Sequence, residues 1–217
     1  MAKRRKVGNM LALAILANLL GKPMHPYEMA TVLRERGKDR DMAIKWGSLY
    51  TVVGNLEKHG LIRAVQSERQ GARPERTVYE ITGAGRAELT DWLRELIAVP
   101  EREIPRFEAG LSLLGVLPPD DVADLLARRL DALREQLAEA RAGLAAAPVP
   151  RLFLIEAEYD LAVRQAEATW IRELLTEFTD GTLPGLDVWR DWHQRGADPA
   201  DLAAVMDKLM PGGDQPG

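Results

Sequence analysis

The chain has 217 residues, 46% hydrophobic and 29% charged, the balance of a folded globular protein rather than a disordered one. It contains no cysteine, which excludes a disulfide framework, a thiol nucleophile and a cysteine metal site, and fits a reducing, cytoplasmic setting. The net charge of −4 conceals an asymmetry. Residues 1–90 hold 16 Lys+Arg and 9 Asp+Glu, a net of +7, and the remaining 13 Lys+Arg and 24 Asp+Glu give −11. A basic half of this kind faces a polyanion, either nucleic acid or an anionic membrane.

Lys3, Arg4, Arg5 and Lys6 form a basic run ahead of an apolar stretch from Met10 to Leu20. The combination is similar to a secretory leader. However, the one Ala-x-Ala of this N-terminal region, Ala12-Leu13-Ala14, lies inside the stretch, whose 11 residues are fewer than the ~20 of a membrane span. The reading is a flexible basic arm and then a first core helix over 7–20, stopped at Gly21, with no membrane association.

Pro23 and Pro26 bracket a turn, and Pro26 suits the first turn of a second helix over 27–36. The glycine-led stretch 37–41 reads as a loop. A third helix follows, with Ser48 as N-cap and Gly60 at the left-handed position past its end. Leu49, Val52, Val53 and Leu56 fall at i, i+3, i+4 and i+7, so they form the buried face. Tyr50, Thr51, Gly54, Asn55 and Lys58 are left on the opposite face, small and polar enough to enter a groove. Asn55 is either a bidentate reader of adenine or a solvated helix position.

After Gly60 the period changes to two, giving strands over 61–67 and 76–82 around a turn-rich loop. Arg69, Arg73 and Arg76 make this hairpin basic, as a DNA-facing wing or as a solvated turn. Thr82 caps a fourth helix with the apolar stripe Leu89, Trp92, Leu93 and Leu96. Three helices, a basic hairpin and another helix make a winged helix-turn-helix, whose third helix reads the major groove.

In the second half Leu126, Leu130, Leu133, Leu137, Ala140 and Leu144 step by four and three, a heptad seam on a helix over 119–147. Pro148 and Pro150 end it, and a second long helix over 151–178 carries Tyr159 and Trp170. The short connection implies an antiparallel pair, and its apolar surface calls for a second copy of the chain. Leu126, Leu130, Leu133, Leu137, Leu144, Tyr159 and Trp170 are therefore the candidate dimerisation contacts. Short helices over 187–195 and 198–210 precede a disordered tail, 211–217. The fold class is mostly α with a small two-stranded β wing. A winged helix-turn-helix over 1–97 precedes an antiparallel helical dimerisation domain over 98–210.

The order and spacing of Pro23-Met24-His25-Pro26-Tyr27-Glu28, Gly47-Ser48-Leu49-Tyr50, Leu56-Glu57-Lys58-His59-Gly60-Leu61-Ile62 and Tyr79-Glu80-Ile81-Thr82, followed by Gly85-Arg86, resemble the PadR family of bacterial transcriptional regulators. The long helical second half is similar to the subgroup with an extended C-terminal dimerisation domain. The resemblance implies a homodimer on a pseudo-palindromic operator in double-stranded DNA, usually a repressor, often released by a small aromatic or cationic effector. It also implies that Tyr27, Ser48 and Tyr50 lie at the DNA surface. Pro26 stands where many relatives have Gly, and Gly54 and Asn55 where many carry basic residues. That shifts phosphate binding toward Lys3, Arg4, Arg5, Lys6, Lys45 and the wing.

Trp46 and Trp92 are candidate effector contacts, although aromatics at helical spacing more often fill a core. His25, His59 and His193 have no i, i+4 companion, so no metal site is expected. No nucleophile motif, phosphate loop or dinucleotide fingerprint occurs, so neither a cofactor nor an enzyme is expected. The rival reading is a winged helix used for protein–protein assembly, without an operator.

Overall fold

The structure, a computed structural model, describes residues 5–38, 42, 46–68, 76–102, 104–201 and 205. The chain forms two compact units, Met1–Arg102 and Glu103–Gly217.

The first unit is built around helix α1, Met10–Asn18, in which Leu11 to Leu16 are all buried. A helix that is apolar on every side must sit at the centre of its domain. It starts at Met10 rather than at residue 7 because the Asn9 side chain accepts the Leu11 N–H at 2.8 Å and caps it there. Helices α2 (Pro26–Glu35) and α3 (Leu49–Lys58) pack on it through Met29, Ala30 and Leu33 and through Leu49, Val52, Val53 and Leu56. The four periodic residues of α3 are all buried, as their spacing requires. Gly60 has φ of +69°, the left-handed geometry that ends α3.

Strands β1 (Ile62–Glu68) and β2 (Arg76–Ile81) pair antiparallel, Ile62 opposite Ile81, with a bulge between Ala64 and Gln66. Met24 adds a pairing that periodicity does not reveal. It exchanges two 3.0 Å backbone hydrogen bonds with Tyr79, so the turn before α2 becomes a third edge of the hairpin.

Helix α4, Gly83–Ala98, buries Leu89 and Trp92. Leu93 and Leu96, expected in the same stripe, are instead exposed, as is Ile97.

Arg5 departs most from expectation. Its guanidinium donates to Glu88 at 2.6 Å, to Asp91 at 3.4 Å and to Glu95, and lies 5.1 Å from the centre of the Trp92 ring. Only 4% of the side chain is exposed. Burial opposes the charge, but hydrogen bonds to Glu88 and Glu95 outweigh it and hold the Arg5 pKa above the usual arginine value. Arg5 is thus no part of a free DNA-binding arm. It fastens the chain to α4.

In the second unit α5 (Arg106–Leu111) and a 3-10 turn, Leu114–Val116, precede the long helices, and neither is foreseen in the sequence. Helix α6 is Pro119–Ala146. A 3-10 turn, Arg151–Phe153, leads into α7, Ile155–Asp180, which ends on left-handed Gly181. Helix α8, Leu186–Gln194, follows a second left-handed glycine, Gly185.

The heptad seam exists, but its partner is intramolecular. Leu126, Leu130, Leu133 and Leu137 are buried against Ala168, Ile171 and Phe178 of α7. Polar pairs flank it in antiparallel order: Arg129 with Glu167 at 2.6 Å and Gln136 with Arg164 at 3.1 Å. These four leucines are therefore corrected from dimer contacts to the core of the chain's own second unit, because α7 of the same chain buries them. Leu144 is half-buried, and Tyr159 and Trp170 remain exposed. Of the helix expected over 198–210, the structure describes a 3-10 turn, Pro199–Asp201, and Val205. Residues 202–204 and 206–217, including the expected tail, lie outside the described residues.

Two junctions are tested by substitution. The Thr82 hydroxyl donates to the Gly60 carbonyl at 2.7 Å and accepts the Gly85 N–H at 3.0 Å, tying the end of α3 to the start of α4. A Cβ on Gly85 would lie 2.0 Å from the Leu61 carbonyl oxygen, whereas one on Gly83 meets nothing within 4 Å. Gly85→Ala is expected to lower unfolding stability by ~1–3 kcal/mol and Gly83→Ala to leave it within ~1 kcal/mol, measured by urea denaturation. Arg5→Gln, which removes the guanidinium that Glu88, Asp91 and Glu95 share, should cost about 2–3 kcal/mol, because those carboxylates are partly solvated. Lys6→Gln, on an exposed residue, should change melting little.

Candidate nucleic-acid interface

The exposed face of α3 is the most distinctive surface of the first unit. Burial of Leu49, Val52, Val53 and Leu56 turns Tyr50, Thr51, Gly54, Asn55 and Lys58 outward together. Tyr50 is 67% exposed, unusual for a large aromatic with a core beneath it. Glu57, the single carboxylate of α3, sits at the hairpin edge of this face. Burial first, and the charge of Glu57 second, raise the Tyr79 phenol above its ordinary value.

Tyr27 is equally exposed, at the second position of α2. Its backbone N–H donates to His25 Nδ1 at 3.1 Å, so His25 is the cap that sets where α2 begins. Neither periodicity nor motif spacing identifies that role for His25. The helix also carries Glu28, whose charge is met by Lys22 at 2.5 Å.

Ser48 stands at the N-cap position of α3, but its side chain makes no capping hydrogen bond to the helix. The reason is the 3-10 turn Trp46–Ser48, which leaves Ser48 with φ −98° and ψ 2° instead of the extended geometry of a capping residue. The expected cap is corrected to a tight turn feeding directly into α3. Ser48 remains beside Tyr50 at the N-terminal end of that helix, where backbone N–H groups favour anions.

Of the expected cations, Lys6 is exposed, and Lys3, Arg4, Lys45, Arg69 and Arg73 lie outside the described residues. Arg76 opens β2 opposite Glu68, and its side chain too is outside the described set. Arg63 is joined across the hairpin to Glu80 at 2.5 Å, which neutralises much of its charge.

The two tryptophans considered for an effector have other tasks. Trp92 is a core residue of α4, covered by Arg5, so the structure corrects it from ligand contact to packing. Trp46 is half-buried and the Arg34 guanidinium lies over its ring at 4.4 Å, holding the turn before α3 against α2. Among the described residues no group of three His, Asp or Glu is placed to hold a metal. No described helix is long and apolar enough to cross a membrane.

Comparison with known proteins agrees with this geometry. The profile of the transcriptional regulator PadR-like family matches residues 13–91, from α1 to the middle of α4. No curated protein sequence matches the chain significantly. Among solved structures, PadR of Bacillus subtilis in complex with operator DNA is similar, with a TM-score of 0.61 and 20% identity over 78% of this chain and 99% of its own. The same protein in complex with p-coumaric acid gives 0.62 and 20%, over 79% and 99%. The virulence activator AphA of Vibrio cholerae gives 0.57 and 22%, over 78% and 98%. At such identities the structures establish the fold, and the family profile speaks for residues 13–91. The family whose profile matches residues 13–91 is one of transcriptional regulators rather than of enzymes, and over that stretch this chain is similar to it.

Proposed function

We propose that the protein is a homodimeric repressor that binds a pseudo-palindromic operator in double-stranded DNA and is released by a small-molecule effector. The observation that carries the reading is the outward face of α3, polar from Tyr50 to Lys58 and backed by a fully buried opposite face. The operator complex of the Bacillus subtilis relative supports it. Such a regulator acts where the chromosome is, in the cytoplasm.

In this reading the two α3 helices of a dimer enter successive major grooves about 34–36 Å apart. Lysines and arginines of the arm and wing displace condensed counterions from phosphate, while Thr51 and Asn55 contact base edges. Tyr27, Ser48 and Tyr50 flank that contact at the helix ends. A second copy is supported by the α6–α7 connection, where Leu152, Phe153, Ile155 and Tyr159 stand exposed together in a way that monomers avoid. An effector is supported by the relative's complex with p-coumaric acid, and it works by favouring a dimer geometry with the wrong α3 spacing. Repression follows the family resemblance. The activator AphA shares the fold, so the sign is measured directly by transcription from the bound promoter.

DNA from the protein's own upstream region should bind with a steep negative dependence on salt and retain a preference over random DNA at high salt. Equal affinity for both sequences would sink the operator reading. Asn55→Ala should weaken the cognate site by ~1–3 kcal/mol and leave random DNA nearly unchanged. Sedimentation should give a dimer, and Phe153→Glu with Tyr159→Glu should shift it toward monomer at micromolar concentration.

A further inference from the structure

The second unit contains a cavity that the DNA-binding reading does not use. It has a volume of about 470 Å³ and lies between the Leu114–Val116 turn, the segment after α7 and α8. That size is within the ~300–1,000 Å³ of small-molecule sites. Its walls include Leu114, Leu183, Leu186, Trp189, Trp192 and Val205, and among the described lining residues none is charged.

The walls are held from behind. Trp189 Nε1 donates to the Leu117 carbonyl at 3.1 Å and Trp192 Nε1 to the Asp198 carbonyl at 3.2 Å. His193 Nε2 lies 3.0 Å from the Gly115 carbonyl, with its ring edge-on to Trp192 at 4.7 Å. Phe178 meets Trp189 edge-on at 6.0 Å. Both indole N–H groups are therefore committed to the protein, and the rings present only carbon to the cavity. Ser112 at the rim donates its hydroxyl proton to the Ala109 carbonyl at 2.8 Å, which leaves its oxygen able to accept.

We infer that this cavity is a binding site for a neutral aromatic ligand bearing at most a hydroxyl group. An anion entering it would lose its hydration with no cation among the described lining residues to compensate, which disfavours carboxylates and sulfonates. A flat aromatic molecule instead gains dispersion and edge contacts with two tryptophans whose positions are already set. The concave shape, formed by several segments of one unit and open to solvent on one side, suits a small molecule. As the place where an effector acts, the site rests on the ligand-responsive reading above. As a binding site it does not.

The full-length protein is titrated with N-phenyl-1-naphthylamine, a neutral fluorescent probe, and with 1-anilinonaphthalene-8-sulfonate, a comparable ring system carrying an anion. The neutral probe should bind saturably at one per chain, and the sulfonate at least ~10-fold more weakly. Leu114→Trp, which fills the cavity, and Val116→Arg, at a lining position 74% exposed and so tolerant of substitution, should each weaken the neutral probe ~10-fold or more. Circular dichroism and melting of Val116→Arg should match the wild type. Absence of saturable binding, equal binding of the two probes, or wild-type affinity in both variants overturns the site. Operator affinity is read in the same samples. A change with probe in the wild type but not in Leu114→Trp supports the effector role. Unchanged operator affinity beside intact one-to-one binding overturns that role and leaves the site standing.

Discussion

The structure of the first unit depends on the burial of α1. Six consecutive residues, Leu11 to Leu16, are out of water, so every side of this helix must be covered by something else in the unit. Helices α2, α3 and α4 all pack against it, and each does so through its own apolar stripe. The outward face of α3 is therefore set by what α3 buries. If Leu49, Val52, Val53 and Leu56 rotated off α1, Tyr50 and Asn55 would rotate inward with them. The composition of the outward face is in this sense read off from core packing, because each residue that α3 does not bury is left on it.

A second layer of constraint links the ends of these elements. Met24 pairs with Tyr79, and Thr82 bonds back to Gly60 across the close approach at Gly85. The turn before α2, the end of α3, the hairpin root and the start of α4 are joined at neighbouring points. Bulk at Gly85 acts on the wing and the third helix together, because Leu61, which Gly85 abuts, joins the end of α3 to the start of the wing. Arg5 adds a fastening of another type, an ion cluster that holds the chain just before α1 onto α4. One charge of the basic run therefore serves architecture.

The second unit follows similar logic with a different outcome. A heptad seam needs a partner helix, and in an antiparallel hairpin the nearest is the next helix of the same chain. The α6–α7 pair closes on itself along Leu126 to Leu137, and polar pairs at its margins fix the register. The apolar side chains left over gather at the connection between the helices and at the far end, beside α8. Assembly is proposed at the first of these places and ligand binding at the second.

Much of this was legible in the residues. The i, i+3, i+4, i+7 spacing of α3 determined which side chains face out, because a 3.6-residue period admits one apolar stripe. Gly60 and Thr82 marked helix boundaries because a left-handed residue and a hydroxyl acceptor have local geometric reasons to be there. Ser48 misled for the same reason: the rule is local, and a 3-10 turn ahead of it removed the required backbone geometry. Tertiary structure alone decided what Arg5 does, since its partners lie 83 to 90 residues away and no periodicity connects them. It likewise decided that Trp92 belongs to the core and that the leucine seam is satisfied within one chain. A sequence states that a stripe must be buried, and by itself it determined here the buried face of α3, the leucine seam and the boundaries at Gly60 and Thr82. What buries each stripe is a matter of distance in space, which only the folded chain sets.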